Sequence, residues 1–352
     1  NPEAVRGLIA ALKDSNSEVK GNAASALRNI GNPEAVRGLI AALKDSNSEV
    51  KGNAASALGR IGNPEAVPEL VAALKDSESD VRYYAALALG YIGNAEAVPE
   101  LIAALKDSKY GVRSSTALAL GYIGNAEAVQ GLIAALKDSK SDVRSSAAWA
   151  LHQIDNAEAV QGLIAALKDS DSEVRDYAAS ALGRIGNAEA VPGLIAALKD
   201  SDSEVRGYAA SALGRIGNAE AMQGLIAALK DSKSDARRNA ALALANIGNA
   251  EAVPGLIVAL KDSKSDARRN AALALANIGN AEALNKIIYD WEIDIYEAEI
   301  FTSARTLAVR FSKQKESFIP VYPELVRFNP ILTFVKRRLQ LSKNLWLRLF
   351  RL

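Results

Sequence analysis

The chain has 352 residues, 49% of them hydrophobic and 24% charged, and its 42 basic residues against 41 acidic ones leave a formal charge of +1. So large a hydrophobic share supports a folded chain with a substantial core and excludes intrinsic disorder, while the balanced charge gives no global electrostatic case for nucleic acid. The absence of cysteine excludes disulfides, thiolate zinc sites and cysteine nucleophiles, and no apolar run is long enough for a membrane span, so a cytoplasmic protein is expected.

The block that begins at Asn1 and ends at Gly31 recurs without insertion at a 31-residue period through Gly279, giving nine tandem repeats. Equal length and near-identity call for one repeating structure. Asn1 falls on a repeat boundary, with neither an initiator Met nor a signal-peptide pattern, and sequence is expected to be missing ahead of it.

Each repeat predicts two helices. Helix A is opened by Asn at its N-cap, followed by Pro or Ala and then Glu, as in Asn63-Pro64-Glu65, and runs to a Lys-Asp pair. In the third repeat Val67, Leu70, Val71 and Leu74 form its apolar stripe. Helix B follows a Ser-rich turn, carries its stripe on Val81, Ala85, Ala88, Leu89 and Ile92, and stops at Gly93. Neither helix can bury its apolar face alone, but stacked neighbours bury both continuously. The fold class predicted is all-α: an α-solenoid, wound as a right-handed superhelix, of nine helical hairpins over residues 1–279.

Beyond Gly279 the pattern decays. Asn280-Ala281-Glu282-Ala283 restarts helix A, with Leu284, Ile287, Ile288 and Trp291 at core spacing, and Ile300, Ala304, Leu307, Ala308 and Phe311 follow at helix B spacing. Residues 280–312 are therefore expected to form a degenerate tenth repeat that caps the stack. In residues 313–352, Pro320 and Pro323 enforce an extended passage, and a helix-like segment from about Ile331 carries Lys336, Arg337, Arg338, Lys343, Arg348 and Arg351 without an acidic residue. That basic segment is expected to seal the end of the solenoid, or to dock on an anionic membrane surface or in a partner groove.

Repeats such as Asn187-Ala188-Glu189-Ala190-Val191-Pro192-Gly193-Leu194-Ile195 through Asp200, followed by Ser203-Glu204-Val205-Arg206 and Ala212-Leu213-Gly214-Arg215-Ile216-Gly217, resemble HEAT-like repeats of the phycobilisome-lyase type over about four fifths of the chain. The Asp and Arg six positions apart, Asp76 with Arg82, Asp169 with Arg175 and Asp200 with Arg206, resemble that family's ladder between adjacent repeats. The cap helix and the Phe318-Ile319-Pro320-Val321-Tyr322-Pro323 stretch resemble the C-terminal ends of cyanobacterial HEAT-repeat proteins, including NACHT-type signalling NTPases. No phosphate-binding loop accompanies them.

Variation among the repeats concentrates in helix B at repeat positions 21, 22, 25, 28 and 29, where the central repeats place Tyr83, Tyr84, Tyr91, Tyr122, Trp149, His152, Gln153, Tyr177, Arg184, Tyr208 and Arg215. In HEAT-like solenoids helix B lines the concave surface, and aligned aromatics beside arginines have the composition of binding hot spots. A protein partner is expected there; the bland reading is that these rings merely cover alanine-rich helix. His152, the sole histidine, is followed by Gln153 and lacks the Glu partner of the His-Glu pairs in deoxyhypusine-hydroxylase HEAT proteins, so no catalytic residue, metal site or cofactor is expected. The enzymatic alternative, a bilin-handling lyase subunit, is implied by the family resemblance alone.

Overall fold

The structure is a computed structural model that describes residues 2–278, and these are helical hairpins throughout. The helices of the A layer are Pro2–Ala11 (α1), Pro33–Ala42 (α3), Val67–Ala73 (α5), Val98–Ala104 (α7), Val129–Ala135 (α9), Val160–Ala166 (α11), Val191–Ala197 (α13), Ala219–Ala228 (α15) and Val253–Ala259 (α17). Those of the B layer are Ser17–Ile30 (α2), Ser48–Ile61 (α4), Ser79–Ile92 (α6), Tyr110–Ile123 (α8), Ser141–Ile154 (α10), Ser172–Ile185 (α12), Ser203–Ile216 (α14), Ser234–Ile247 (α16) and Ser265–Ile278 (α18). Each A helix packs on the B helix of its own repeat, and each B helix on the next B helix, so the two layers form an α-solenoid. The expected capping repeat, the extended passage, the basic segment and the resemblance of that end to signalling NTPases all lie outside the described residues.

Helix A departs from expectation at its start. In six repeats the Asn cap is followed by a single 3-10 turn, such as Pro64–Ala66, before the α-helix begins. Proline at repeat position 6 accompanies the turn at Pro68, Pro99, Pro192 and Pro254, but Gln130 and Gln161 show the same turn without it. The caps themselves form as the residue types dictate: Asn63 Oδ1 accepts from the Glu65 N–H at 2.9 Å, and Gly93 ends α6 with a left-handed φ of 74°. Asp155 is the one described non-glycine residue with positive φ, at 56°, standing where the other repeats end in glycine.

One continuous apolar core runs the length of the stack, built from Val and Leu of the A helices and Val, Ala and Leu of the B helices. The B layer is the tighter of the two. A Cβ built on Gly59 or Gly90 would lie 2.6 Å from the backbone Cα of Ala88 or Ala119 on the following B helix. Glycine at repeat position 28, present in repeats 2, 3, 4, 6 and 7, admits that close B-to-B approach there, while neighbouring A helices meet less extensively.

The Asp–Arg ladder joins repeats in a register one repeat off the six-residue spacing. Arg82 donates from Nε and Nη2 to the carboxylate of Asp107 in the next repeat at 2.7 and 3.0 Å, and from Nη1 to the backbone carbonyl of its own Asp76 at 2.9 Å. Arg113 with Asp138, Arg144 with Asp169, Arg175 with Asp200 and Arg237 with Asp262 repeat the arrangement. Each ladder Asp also accepts a backbone N–H two residues on, as Asp169 does from Asp171 at 2.9 Å, so one carboxylate fixes both the inter-helix turn and the neighbouring repeat. Arg206 is the exception: it engages Asp235, while Lys233 donates to the Asp200 carbonyl.

Candidate functional site

The variable residues of the B layer form two strips along the stack. Repeat positions 22 and 29 lie two helical turns apart, about 10 Å along each B helix, and position 25 falls between them. Near the C-terminal ends of the helices, Tyr91, Tyr122 and Trp149 make a continuous aromatic row. Ring centroids are 5.5 Å apart for Tyr91 and Tyr122 and 5.0 Å for Tyr122 and Trp149, the latter edge-on. Such tilted and edge-to-face pairs are the favourable geometries for aromatic rings. Tyr91 is 52% and Tyr122 49% exposed, so these two rings keep about half their surface for another molecule, while Trp149 is partly buried against the core.

Near the N-terminal ends, Tyr83 and Tyr84 pack edge-on at 5.2 Å, and Tyr177 and Tyr208 continue the strip three and four repeats further on. Tyr84 and Tyr208 are exposed, whereas Tyr83 and Tyr177 are half-buried and burial raises both phenol pKa values. Between these tyrosine groups the face closes. Ser115 and Ser146, at repeat position 22 like Tyr84, are buried, because small side chains let adjacent B helices meet: Ser114 and Ser146 hydroxyls lie 2.9 Å apart.

Some rings do cover backbone as the bland reading required. Tyr84 lies over Gly52 and Trp149 over Gly121, where a built Cβ would meet the rings at 3.1 and 2.6 Å. Covering one face of the ring leaves the other side and edge available, and that divided role suits an anchor held rigid before binding.

His152 occupies the position that is glycine in repeats 2, 3, 4, 6 and 7, and so stands at the close approach between α10 and α12. It is half-buried, and its Nδ1 is buried without a hydrogen-bond partner. Burial lowers its pKa, Arg184 and Arg215 push it further down, and Asp155 and the Ser180 backbone oppose them. Arg184 reaches Asp155 at 3.8 Å, while Gln153 and Arg215 stand exposed.

Asp155 and Asp176 belong to this face and were not singled out from sequence. Asp155 could have been found as the break in the repeat-ending glycine column. Asp176 is half-buried with Oδ1 unpartnered; burial, then the charges of Asp202 and Glu204, raise its pKa to about 7 despite Arg175. Among the described residues no group of three or more His, Asp or Glu side chains converges as a metal site, and no helix is long and apolar enough to cross a membrane.

Stacked hairpins with a shared core, a charge ladder and a variable helix face define an α-solenoid repeat protein. The family model for HEAT repeats matches residues 5–83, 67–152, 112–176, 160–242 and 222–288, and the chain belongs to that family. No curated protein matches it. Among solved structures, an engineered protein is 25% identical with a TM-score of 0.51 over 88% of this chain and 99% of its own. Importin beta is 16% identical with a TM-score of 0.67 over 97% of this chain and 55% of its own, a likeness of fold. The complex of CpcE and CpcF of phycocyanin lyase from a Nostoc species is 26% identical over 68% of this chain and 92% of its own, with a TM-score of 0.41.

Proposed function

We propose that this chain is a non-catalytic scaffold that holds a protein partner along the B-helix face of repeats 3 to 7. The observation that carries the reading is the row Tyr91, Tyr122 and Trp149, three contacting rings from three successive repeats, the two tyrosines exposed and the tryptophan partly buried. A fold needs no such row, since the same positions in repeats 1 and 2 are filled by Ser25, Asn29, Ser56 and Arg60. Tighter spacing in the B layer than in the A layer supports a stack that curves toward the B face, making it the concave one. Pre-positioned aromatic anchors in a concavity give large contact area at low entropic cost.

The test is capture of the native partner by the wild-type chain and by a Tyr91→Ala, Tyr122→Ala, Trp149→Ala variant of unchanged helicity. Each good anchor is expected to be worth about 1 to 3 kcal/mol. Undiminished capture by the triple variant would reduce the row to surface cover.

The bilin-handling alternative draws on the same rings and Arg184, which would suit an open-chain tetrapyrrole with acidic side chains. Titration with a bilin separates the two readings. A shifted visible spectrum lost with Trp149→Ala favours the pigment; an unchanged spectrum removes it.

A further inference from the structure

The B face has a charge asymmetry that the whole chain lacks. Arg28, Arg60, Arg184, Arg215, Arg238 and Arg269 stand there against two acidic residues, Asp155 and Asp176, in a chain whose totals are 42 basic and 41 acidic. The lysines and most carboxylates are elsewhere, in the turns, ladder and caps. Asp176 weakens the asymmetry little, because its half-buried carboxyl is easily protonated near neutrality.

The strongest positive point adjoins the aromatic row. Arg184 and Arg215 occupy the same repeat position on the adjacent, packed helices α12 and α14, and both are exposed. Arg215 has no ion pair among the described residues, and the Arg184 contact with Asp155 is long and more than a third exposed on each side, so it yields readily to a better-placed anion. Two exposed arginines beside an aromatic row match a carboxylate next to an apolar side chain. From Tyr91 to Arg215 the face crosses four repeat steps of about 8 to 10 Å each, a span that an extended segment of about 12 residues covers.

We infer that the partner presents an acidic, extended segment of about this length, with an apolar or aromatic side chain on the Tyr91, Tyr122 and Trp149 row and a carboxylate seated between Arg184 and Arg215. The inference rests on the B face being the binding face and adds the class of partner.

Panning a random display library of about 12-residue peptides against the full chain tests it. The enriched pool is expected to be net negative, to carry an aromatic or large aliphatic residue, and to bind an Arg184→Ala, Arg215→Ala variant at least about tenfold more weakly. A neutral or basic pool, or one indifferent to the two arginines, overturns the inference. A pool that ignores the arginines but is lost with Tyr122→Ala and Trp149→Ala overturns it while leaving the B face as the binding face; a pool lost with neither pair sinks both. A fluorescent oligothymidylate of equal length that binds through Arg184 and Arg215 more tightly than the best enriched peptide also overturns it, since the cationic site would then serve phosphates.

Discussion

Replacing Asp169 by Ala should cut the stack at one junction. Asp169 accepts from Arg144 Nε and Nη2 at 2.7 and 2.8 Å and from the Asp171 N–H at 2.9 Å, and the Asp169 and Arg144 side chains are only 12% and 13% exposed. Losing one partner of such a pair strands the guanidinium, and the inter-helix turn loses its bond as well; together the cost should be about 3 kcal/mol. Asp169→Asn keeps the turn and should cost about 2 kcal/mol. Adding Arg144→Met to it should recover part of that, because no unpaired charge is then buried. Since each repeat touches only its neighbours, hydrogen exchange should accelerate in α10, α11 and α12 while α2 and α4 keep their protection. A loss below about 0.5 kcal/mol, or one spread evenly over all helices, would refute the ladder as the device that sets the junction.

Acid should have the same local effect. Burial alone would raise the pKa of Asp169, but hydrogen bonds from Arg144 and the backbone and the charge of Arg144 prevail and lower it; at Asp138 the bond from Arg113 is the leading cause of the lowering. A depressed folded pKa means the ladder's contribution is complete above the unfolded value of about 3.9 and is lost as pH falls through the lower folded values, which urea melts between pH 5 and 2 should show. Asp176 has the opposite sign: its folded pKa of about 7 makes the chain lose stability as pH rises from about 4 to 7. Its carboxyl is half-exposed, so solvent screening limits the effect, and Asp176→Asn should gain about 1 kcal/mol at pH 8 and nothing at pH 4. Gly90→Ala should cost about 1 to 3 kcal/mol, because the added Cβ would meet the Ala119 backbone and must push α6 and α8 apart. Thr116, fully buried with an unpartnered hydroxyl where the other repeats have alanine, should become more stable by about 1 kcal/mol as Thr116→Ala, measured by thermal melt.

The hairpins, their Asn caps and their glycine stops were legible because the 31-residue period repeats each signal at the same place. Near-identity also hid information. Asp76 and Asp107 are equivalent in sequence, so a six-residue spacing could not show that Arg82 takes its carboxylate from the next repeat and only a carbonyl from its own. Nothing in the sequence separates Asp235, which captures Arg206, from Asp142, which leaves Arg113 to Asp138. The aromatic row was legible as variation against a constant background, and the rings do meet. Burial of Ser115 and Ser146 was not, because exposure at those positions depends on how closely two B helices approach. The same limit concealed Asp176, an ordinary residue until a half-buried position and two neighbouring carboxylates shift its titration.

The central claim is that the B face, and not the A face, carries the partner. A photo-cross-linking residue placed at Tyr122, and in a separate variant at the exposed Ala134 of α9, tests it within one neighbourhood of the stack. Cross-links to a specific partner from position 122, competed by an enriched acidic peptide and absent from position 134, are the result the account predicts. Cross-links from position 134 with none from position 122 would contradict it.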